Sequence, residues 1–215
     1  MHKVLITGIT GFLGSHIANK LIQEGIGVIG LKRTISDTWR CNKIADKIEW
    51  VDIEYGYQDL ILEKQPDTII HSAWMGVEAS DRDNWTLQAQ NIQFLVELLE
   101  MAKQAKVKKI IFLGSQAEYG ITNEKIFESK NAVAATAYAS IKLACLEILK
   151  TFSETNHIDW IWLRLFSLFG EKENVRWLIP SLIKKMTSET EMDFTKGEQM
   201  YAYLYVRDFA EIILK

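Results

Sequence analysis

The sequence lacks the features that would assign it to several classes of protein. Its 215 residues include only two cysteines, Cys41 and Cys145, which have neither metal-ligand spacing nor a disulfide framework and fit a reducing compartment. The formal net charge is −3, and no basic block suggests a nucleic-acid partner. No apolar run approaches the roughly 20 residues of a membrane-spanning helix. We therefore expect a cytoplasmic protein with neither a nucleic-acid nor a membrane partner.

Proline is also scarce, since only Pro66 and Pro180 occur, and regular structure should be dense. Hydrophobic residues make up 48% of the chain and charged residues 25%, an ordinary globular composition. A chain of this length can bury one core, or one core plus a small appendage.

Short apolar runs alternate with helical patterns along most of the chain. We predict six strands and, between them, long helices over 84–106 and 134–155; the strands are expected at 4–6, 28–31, 48–51, 68–71, 109–113 and 160–166. This alternation predicts an α/β fold in which helices cover both faces of a parallel sheet. Ligands of such sheets bind beyond the carboxyl ends of the strands.

A glycine-rich turn follows the first predicted strand. Gly8, Gly11 and Gly14 stand at steps of three, and a helical pattern begins at Phe12. Glycines allow close approach to the main chain, and a helix N-terminus at this place attracts an anion, so the pattern predicts a phosphate site. The alternative is an ordinary strand–helix turn, because the spacing differs from the usual G-x-G-x-x-G.

Tyr138 and Lys142, in YASIK, lie one turn apart on a predicted helix. A nearby ammonium lowers the pKa of a phenol, which lets the phenol exchange a proton with a carbonyl or alcohol oxygen near neutral pH. Ser115, at the end of the fifth strand, could hydrogen-bond the same oxygen. Alone, a Tyr-x-x-x-Lys pair often arises by chance on a protein surface.

Together these motifs resemble the extended short-chain dehydrogenases/reductases, in the nucleotide-sugar epimerase/dehydratase group. The resemblance covers nearly the whole chain and includes TGITGFLGSH, FLGSQAEYG, YASIK and RLFSLFG. It implies a Rossmann-type doubly wound parallel sheet over residues 1–166, the dinucleotide-binding domain. Residues 167–215 would begin a small substrate-binding lobe, and we expect this lobe to be truncated because the sequence stops within an apolar helical pattern.

The resemblance also implies the roles of individual residues. The expected catalytic residues are Ser115, which orients the substrate oxygen, Tyr138, the acid/base, and Lys142, which lowers the pKa of Tyr138 and holds the ribose. The residues expected to bind the cofactor are Gly8, Thr10, Gly11, Phe12, Leu13, Gly14, Lys32, Arg33, Asp52, Ile53, Ala73, Asn91, Tyr138, Lys142 and Phe166. No metal site is expected. The two long helices usually pair across a two-fold axis in this family, which suggests a homodimer, although their apolar faces could be ordinary core.

Departures from the family pattern refine the prediction. An acidic residue often ends the second strand, whereas Lys32 and Arg33 stand there and would attract a 2′-phosphate, which favours NADP over NAD. Solvated loop cations are the alternative. Gln116 and Ala117 replace the Asp-Glu pair of the 4,6-dehydratases, so we do not expect dehydration. Tyr201 replaces an arginine that commonly binds the nucleotide diphosphate, so the sequence does not identify the nucleotide of the substrate.

We therefore expect an NADP(H)-dependent reductase acting on a keto group of a nucleotide-linked sugar, as in surface-polysaccharide synthesis. A nucleotide-sugar epimerase with retained NAD(P) is the second hypothesis, and a non-catalytic cofactor-binding regulator is the third. Structural roles are expected for the other polar candidates, Glu118 as a loop carboxylate and His16, His71 and His157 as packing residues; Trp74 could face the substrate.

Overall fold

Six short apolar segments pair side by side into one parallel sheet. The computed structural model describes residues 2–122, 124–188, 191, 193–194, 196–198 and 200–215. The sheet order is β3-β2-β1-β4-β5-β6, and every pair is parallel. The strands are β1 (Lys3–Thr7), β2 (Gly27–Lys32), β3 (Ile48–Asp52), β4 (Thr68–His71), β5 (Lys109–Ser115) and β6 (Asp159–Leu165). The predicted α/β fold with a doubly wound parallel sheet is confirmed.

Helices connect these strands and cover both faces of the sheet. A second, two-stranded parallel sheet follows β6 and pairs β7 (Ser167–Phe169) with β8 (Tyr203–Tyr205). The helices are α1 (Phe12–Gln23), α2 (Tyr57–Lys64), α3 (Trp85–Gln104), α4 (Ala137–Asn156), α5 (Leu178–Thr187) and α6 (Val206–Ile212).

The core consists of two apolar layers, one on each face of the large sheet. Successive residues of β1 show the division, because Leu5 belongs to one layer while Val4 and Ile6 belong to the other. Helices α2, α3 and α4 complete the first layer, and α1 and α6 the second. Since both faces are covered, the central strands carry uninterrupted apolar runs such as Val4–Ile6 in β1 and Ile110–Leu113 in β5, as in other parallel sheets.

The ends of the elements differ from the prediction where local hydrogen bonds decide them. Helix α4 begins at Ala137 rather than at residue 134, because the Thr136 side chain accepts a bond from the Ala139 N–H at 3.2 Å and caps the helix. Strand β5 extends two residues beyond the predicted end, because Gly114 and Ser115 pair with β6.

The last helix returns to the large sheet. Phe209 of α6 is 2% exposed and belongs to the same apolar layer as Ile17 and Leu21 of α1. Residues 167–215 therefore share part of their core with the preceding residues. Their separate function as the start of a substrate lobe stays a prediction.

The packing of the first turn predicts an effect of Gly14→Ala. A Cβ at this position would lie 2.4 Å from the Gly8 carbonyl oxygen and 2.8 Å from Ile9 Cα, both of which are backbone atoms. We expect the variant to lower the free energy of unfolding by about 2 kcal/mol, measured by urea denaturation. Gly27→Ala is the control, because its Cβ would meet the flexible Lys3 side chain at 3.2 Å. Equal stability of the two variants would contradict the packing argument.

Candidate functional site

The glycine turn connects the carboxyl end of β1 to α1 and packs tightly on the segment after β4. Gly8 has a φ of +68°, and a Cβ there would lie 2.7 Å from the Ala73 nitrogen. Gly11 is the N-cap of α1 and provides no side-chain cap, and the first turn has no acidic residue. Because the first N–H groups of a helix have no intrahelical partner, they are available to an anion such as a diphosphate.

A buried polar contact fixes the two strand ends beneath this turn. The Thr7 hydroxyl lies 2.8 Å from His71 Nδ1 and accepts a bond from the Ala73 N–H at 3.2 Å. Burial lowers the pKa of His71 to about 3, with a smaller contribution from the charge of Lys142, so the imidazole is neutral. His71 thus has the packing role expected from the sequence, and it sets the position of Ala73 against Gly8.

The residues expected to bind the adenosine part of the cofactor lie where β2 and β3 end. Lys32 and Asp52 are register partners at the ends of these strands, and the Lys32 ammonium forms an ion pair with the Asp52 carboxylate. The Ile53 N–H donates to the Lys32 carbonyl oxygen at 2.9 Å. Arg33 is exposed and forms no ion pair within the described part of the chain. The two predicted cations are therefore not equivalent, because Lys32 already has a counter-ion.

Ser115, Tyr138 and Lys142 come together where β5 meets the first turns of α4. Lys142 is 3% exposed, and its ammonium donates to the Leu113 carbonyl oxygen at 2.8 Å. Burial raises the pKa of the Tyr138 phenol; the Ser115 hydroxyl and the Arg82 guanidinium act in the opposite direction, and the Glu118 carboxylate adds to the rise. Burial dominates, so the pKa of Tyr138 is raised in this structure, and the lowering by Lys142 that the resemblance implies stays a prediction.

Lys142 is itself strongly perturbed by its surroundings. Burial lowers its pKa to about 7, against the smaller effect of the Glu118 and Cys145 side chains. Its nitrogen lies 3.8 Å from the centre of the Trp74 ring and 5.0 Å from that of Phe112, and these aromatic faces partly replace the lost water. A ligand that offers hydrogen-bond acceptors to this nitrogen would favour its charged form.

The loop after β4 holds Trp74 over this lysine. The Trp74 indole N–H donates to Gln88 Oε1 at 2.9 Å, and the ring meets Tyr138 edge-on with centroids 5.7 Å apart. Asn91, which the resemblance made a cofactor ligand, is 2% exposed and bonds both to the N–H and to the carbonyl of Met75. The structure therefore places Asn91 behind the loop as a support.

The remaining predicted residues lie on the same edge of the sheet. Thr10, Phe12 and Leu13 are half-buried around the first turn of α1. Phe166 directly follows β6, is 37% exposed, and has its ring 6.4 Å from that of Tyr119. The carboxyl ends of parallel strands thus gather these residues although they are far apart in the sequence.

The sequence prediction missed Arg82 and misjudged Glu118. Arg82 lies over the Tyr138 ring, with 5.3 Å between its guanidinium carbon and the ring centroid. Glu118 is fully buried and paired with Arg164, whereas we expected a loop carboxylate. A glutamate three residues after a strand-terminal serine is a capping-box signal, and this signal could have identified Glu118.

The described residues contain neither a cluster of metal-ligating side chains nor a membrane-spanning helix. No group of three or more His, Cys, Asp or Glu side chains among them could hold a metal ion. In the same part of the chain, no helix combines the length and the apolar character needed to span a bilayer.

Comparisons with known proteins show which family and which solved structures this chain resembles. A model of the NAD dependent epimerase/dehydratase family matches residues 4–215. The chain is 29% identical to CDP-abequose synthase of Salmonella muenchen, covering 99% of this chain and 69% of that protein. It is 26% identical to Protein CapI of Staphylococcus aureus, covering 98% and 68%.

Solved structures show the same fold. A UDP-N-acetylglucosamine 4-epimerase from Methanobrevibacter ruminantium M1, in complex with UDP-N-acetylmuramic acid, has a TM-score of 0.86 at 25% identity and covers 98% of this chain and 71% of that chain. A UDP-glucuronic acid 4-epimerase from Bacillus cereus, in complex with NAD, has a TM-score of 0.84 at 23% identity and covers 99% and 71%.

The perturbed lysine predicts how the stability of the ligand-free protein depends on pH. Because the pKa of Lys142 is about 7 in the fold and near its usual value when unfolded, the unfolded chain binds more protons above pH 7 and stability rises with pH. Lys142→Met should therefore stabilise the protein most at or below neutral pH, and this gain should shrink towards about pH 10, with each pKa unit corresponding to about 1.4 kcal/mol.

Urea denaturation between these pH values measures the effect. Lys150→Met is the matched control, because Lys150 is exposed on the same helix. A difference between wild type and Lys142→Met that does not vary with pH would contradict the burial argument.

Proposed function

Because this chain belongs to the NAD dependent epimerase/dehydratase family, we propose that it transfers hydride between a nicotinamide dinucleotide and a carbon of a nucleotide-linked sugar. The observation that carries the proposal is the meeting of Ser115, Tyr138 and Lys142 at the edge of the sheet that also carries the glycine turn. A hydroxyl donor, a phenol and a buried amine are the groups that proton exchange at a sugar oxygen requires.

The residues present fit a dinucleotide. The first turn of α1, uncapped by any side chain, would bind the diphosphate through its N–H groups. A Cβ at Gly8 or Gly14 would collide with backbone, which shows how closely this turn is packed. Asp52 and Ile53 would contact the adenine, and Lys142 would donate to the ribose hydroxyls. When bound, the nicotinamide supplies the hydride acceptor or donor.

The chain's own residues handle the proton. In the oxidising direction, the Tyr138 phenolate takes the proton from the sugar hydroxyl as its carbon loses hydride; in the reducing direction, the phenol returns a proton to the carbonyl oxygen. Ser115 donates a hydrogen bond to that same oxygen. Ribose hydroxyl oxygens favour the protonated form of Lys142, whose charge then offsets the rise that burial causes in the pKa of Tyr138.

We propose epimerisation with NAD as the first candidate function, ahead of the reduction with NADP that the sequence suggested. The Lys32–Asp52 ion pair supports this order, because a paired ammonium attracts a 2′-phosphate weakly and the Asp52 carboxylate repels it. An epimerase regenerates its own NAD, which fits this preference, and several relatives are named as 4-epimerases. The exposed Arg33 is the observation that favours NADP, and it keeps a keto-sugar reductase as the second candidate.

The proposed homodimer rests on weaker support. Leu95 and Leu99 of α3 are buried in the core of the single chain. Val96 is 42% exposed and remains available for a contact between copies. Association through α3 and α4 therefore stays a prediction.

Fluorescence titrations with NADH and NADPH test the order of the two candidates. We expect wild type to bind NADH at least tenfold more tightly, a difference of about 1.4 kcal/mol. Asp52→Asn should narrow that preference, because it removes the repelling charge and frees Lys32. Asp46→Asn, an exposed change before β3, is the control. A tenfold preference of wild type for NADPH would move the reductase to first place.

Replacement of the acid/base tests the chemistry itself. Tyr138→Phe should lower the turnover of UDP- or CDP-linked sugars at least about 100-fold, because no group then exchanges the proton. Its affinity for the dinucleotide should stay within about threefold of wild type. Tyr55→Phe is the control, since Tyr55 is 67% exposed. Unchanged turnover of Tyr138→Phe would refute the assigned role.

A further inference from the structure

A buried carboxylate lies directly behind Ser115. Glu118 has no exposed surface, and its Oε1 accepts the Ser115 N–H at 2.7 Å. Its Oε2 accepts from Trp162 Nε1 at 3.0 Å and from Arg164 Nε at 2.7 Å. A carboxylate is costly to bury unless donors satisfy it, and here three donors from two strands do so.

Neighbouring residues leave room for this carboxylate and fix its partners. A Cβ at Gly114 would lie 2.7 Å from Glu118 Oε1 and 2.2 Å from Trp162 Nε1, so only glycine fits between them. Arg164 also donates to the Tyr119 hydroxyl at 3.3 Å. The indole of Trp162 stacks on Phe112 with 4.1 Å between ring centroids. The ion pair is therefore held on both sides by well-defined packing.

The same carboxylate determines how the Ser115 hydroxyl is presented. Glu118 and Ser115 form a capping box, in which the serine oxygen accepts the Ala117 N–H at 3.2 Å while the glutamate takes the Ser115 N–H. Since that oxygen already accepts a bond from the backbone, its own hydrogen is left to donate towards the Tyr138 side. A fixed donor at this place is what a substrate oxygen needs.

We propose that Glu118 is a positioning residue of the active site: held by Arg164 from β6, it fixes the backbone and the hydroxyl of Ser115 beside Tyr138. This inference rests on the proposed function, because Ser115 matters only if a sugar oxygen binds there. Glu118 itself touches neither substrate nor cofactor in this account.

The charge of Glu118 should affect the pH profile of turnover, which a purely structural role of this residue would leave unchanged. Its carboxylate raises the pKa of Tyr138 and of Lys142, two groups that also sense Arg82 and Cys145, respectively. Removal of the charge should therefore shift the pH profile of turnover towards acid. A shorter side chain that keeps its charge should lower kcat and leave the pH profile where it is.

Two substitutions separate these effects, with Glu128→Gln as the exposed control on the following loop. Glu118→Gln keeps the size of the side chain but turns an amide nitrogen towards two donors. We expect kcat to fall at least tenfold, KM and dinucleotide affinity to stay within threefold, and the pH profile to move to lower pH. Glu118→Asp keeps the charge but is one methylene short of Ser115, so kcat should fall without the pH shift.

A wild-type kcat and pH profile for a folded Glu118→Gln would overturn the proposal. If that variant does not fold, Arg164→Lys replaces it; we expect a reduced kcat with unchanged KM, and no change in kcat would overturn the proposal equally.

Failure of the proposed function would look different, because wild type itself would then turn over no nucleotide sugar. In that case NMR of protein labelled with ¹³C-tyrosine still tests the inference, with Tyr138→Phe assigning the signal. A lower pKa of Tyr138 in Glu118→Gln than in wild type would support it, and an unchanged pKa would overturn it.

Discussion

The buried ammonium of Lys142 is the constraint on which the surrounding structure depends. An amine that has lost its water must find other partners or give up its proton, and here the Leu113 carbonyl and the Trp74 ring supply only part of what water gave. Trp74 keeps its place because Gln88 holds its indole, and Gln88 also binds the Gly76 carbonyl. The loop after β4 thus holds the Trp74 ring against the Lys142 nitrogen.

The parallel sheet explains why this lysine meets the other site groups. The first turns of α4 lie beside the end of β5, which places Tyr138 and Lys142 next to Ser115. The Glu118–Arg164 ion pair then ties this end of β5 to β6. Between β1 and β4, the contact of Thr7 with His71 aligns the glycine turn with the segment after β4. The contact of Thr7 with His71 therefore supports the proposed dinucleotide site, and the Glu118–Arg164 ion pair supports the proposed proton-transfer site.

Much of the fold could be predicted from the sequence, because an apolar run such as 109–113 has few alternatives to a buried strand. The site residues that belong to local motifs could also be predicted from the sequence, since Tyr138 and Lys142 are one helical turn apart. The ion pairs of the site could not be predicted, because they depend on the register between segments that are distant in the sequence. Lys32 meets Asp52 across neighbouring strands, and Glu118 meets Arg164 across the β5–β6 pair. Nor can spacing alone give the direction in which the pKa of Tyr138 shifts, because burial outweighs the opposing effects of Ser115 and Arg82.

Direct observation of hydride transfer tests the central claim, that the Ser115–Tyr138–Lys142 site oxidises and reduces a nucleotide-linked sugar. Protein loaded with NAD would be mixed rapidly with UDP- and CDP-linked sugars while the absorbance of reduced nicotinamide is followed. We expect a transient reduced band with wild type, at a rate that falls steeply in Tyr138→Phe. The absence of the band with every sugar, or an equal rate in Tyr138→Phe, would contradict it.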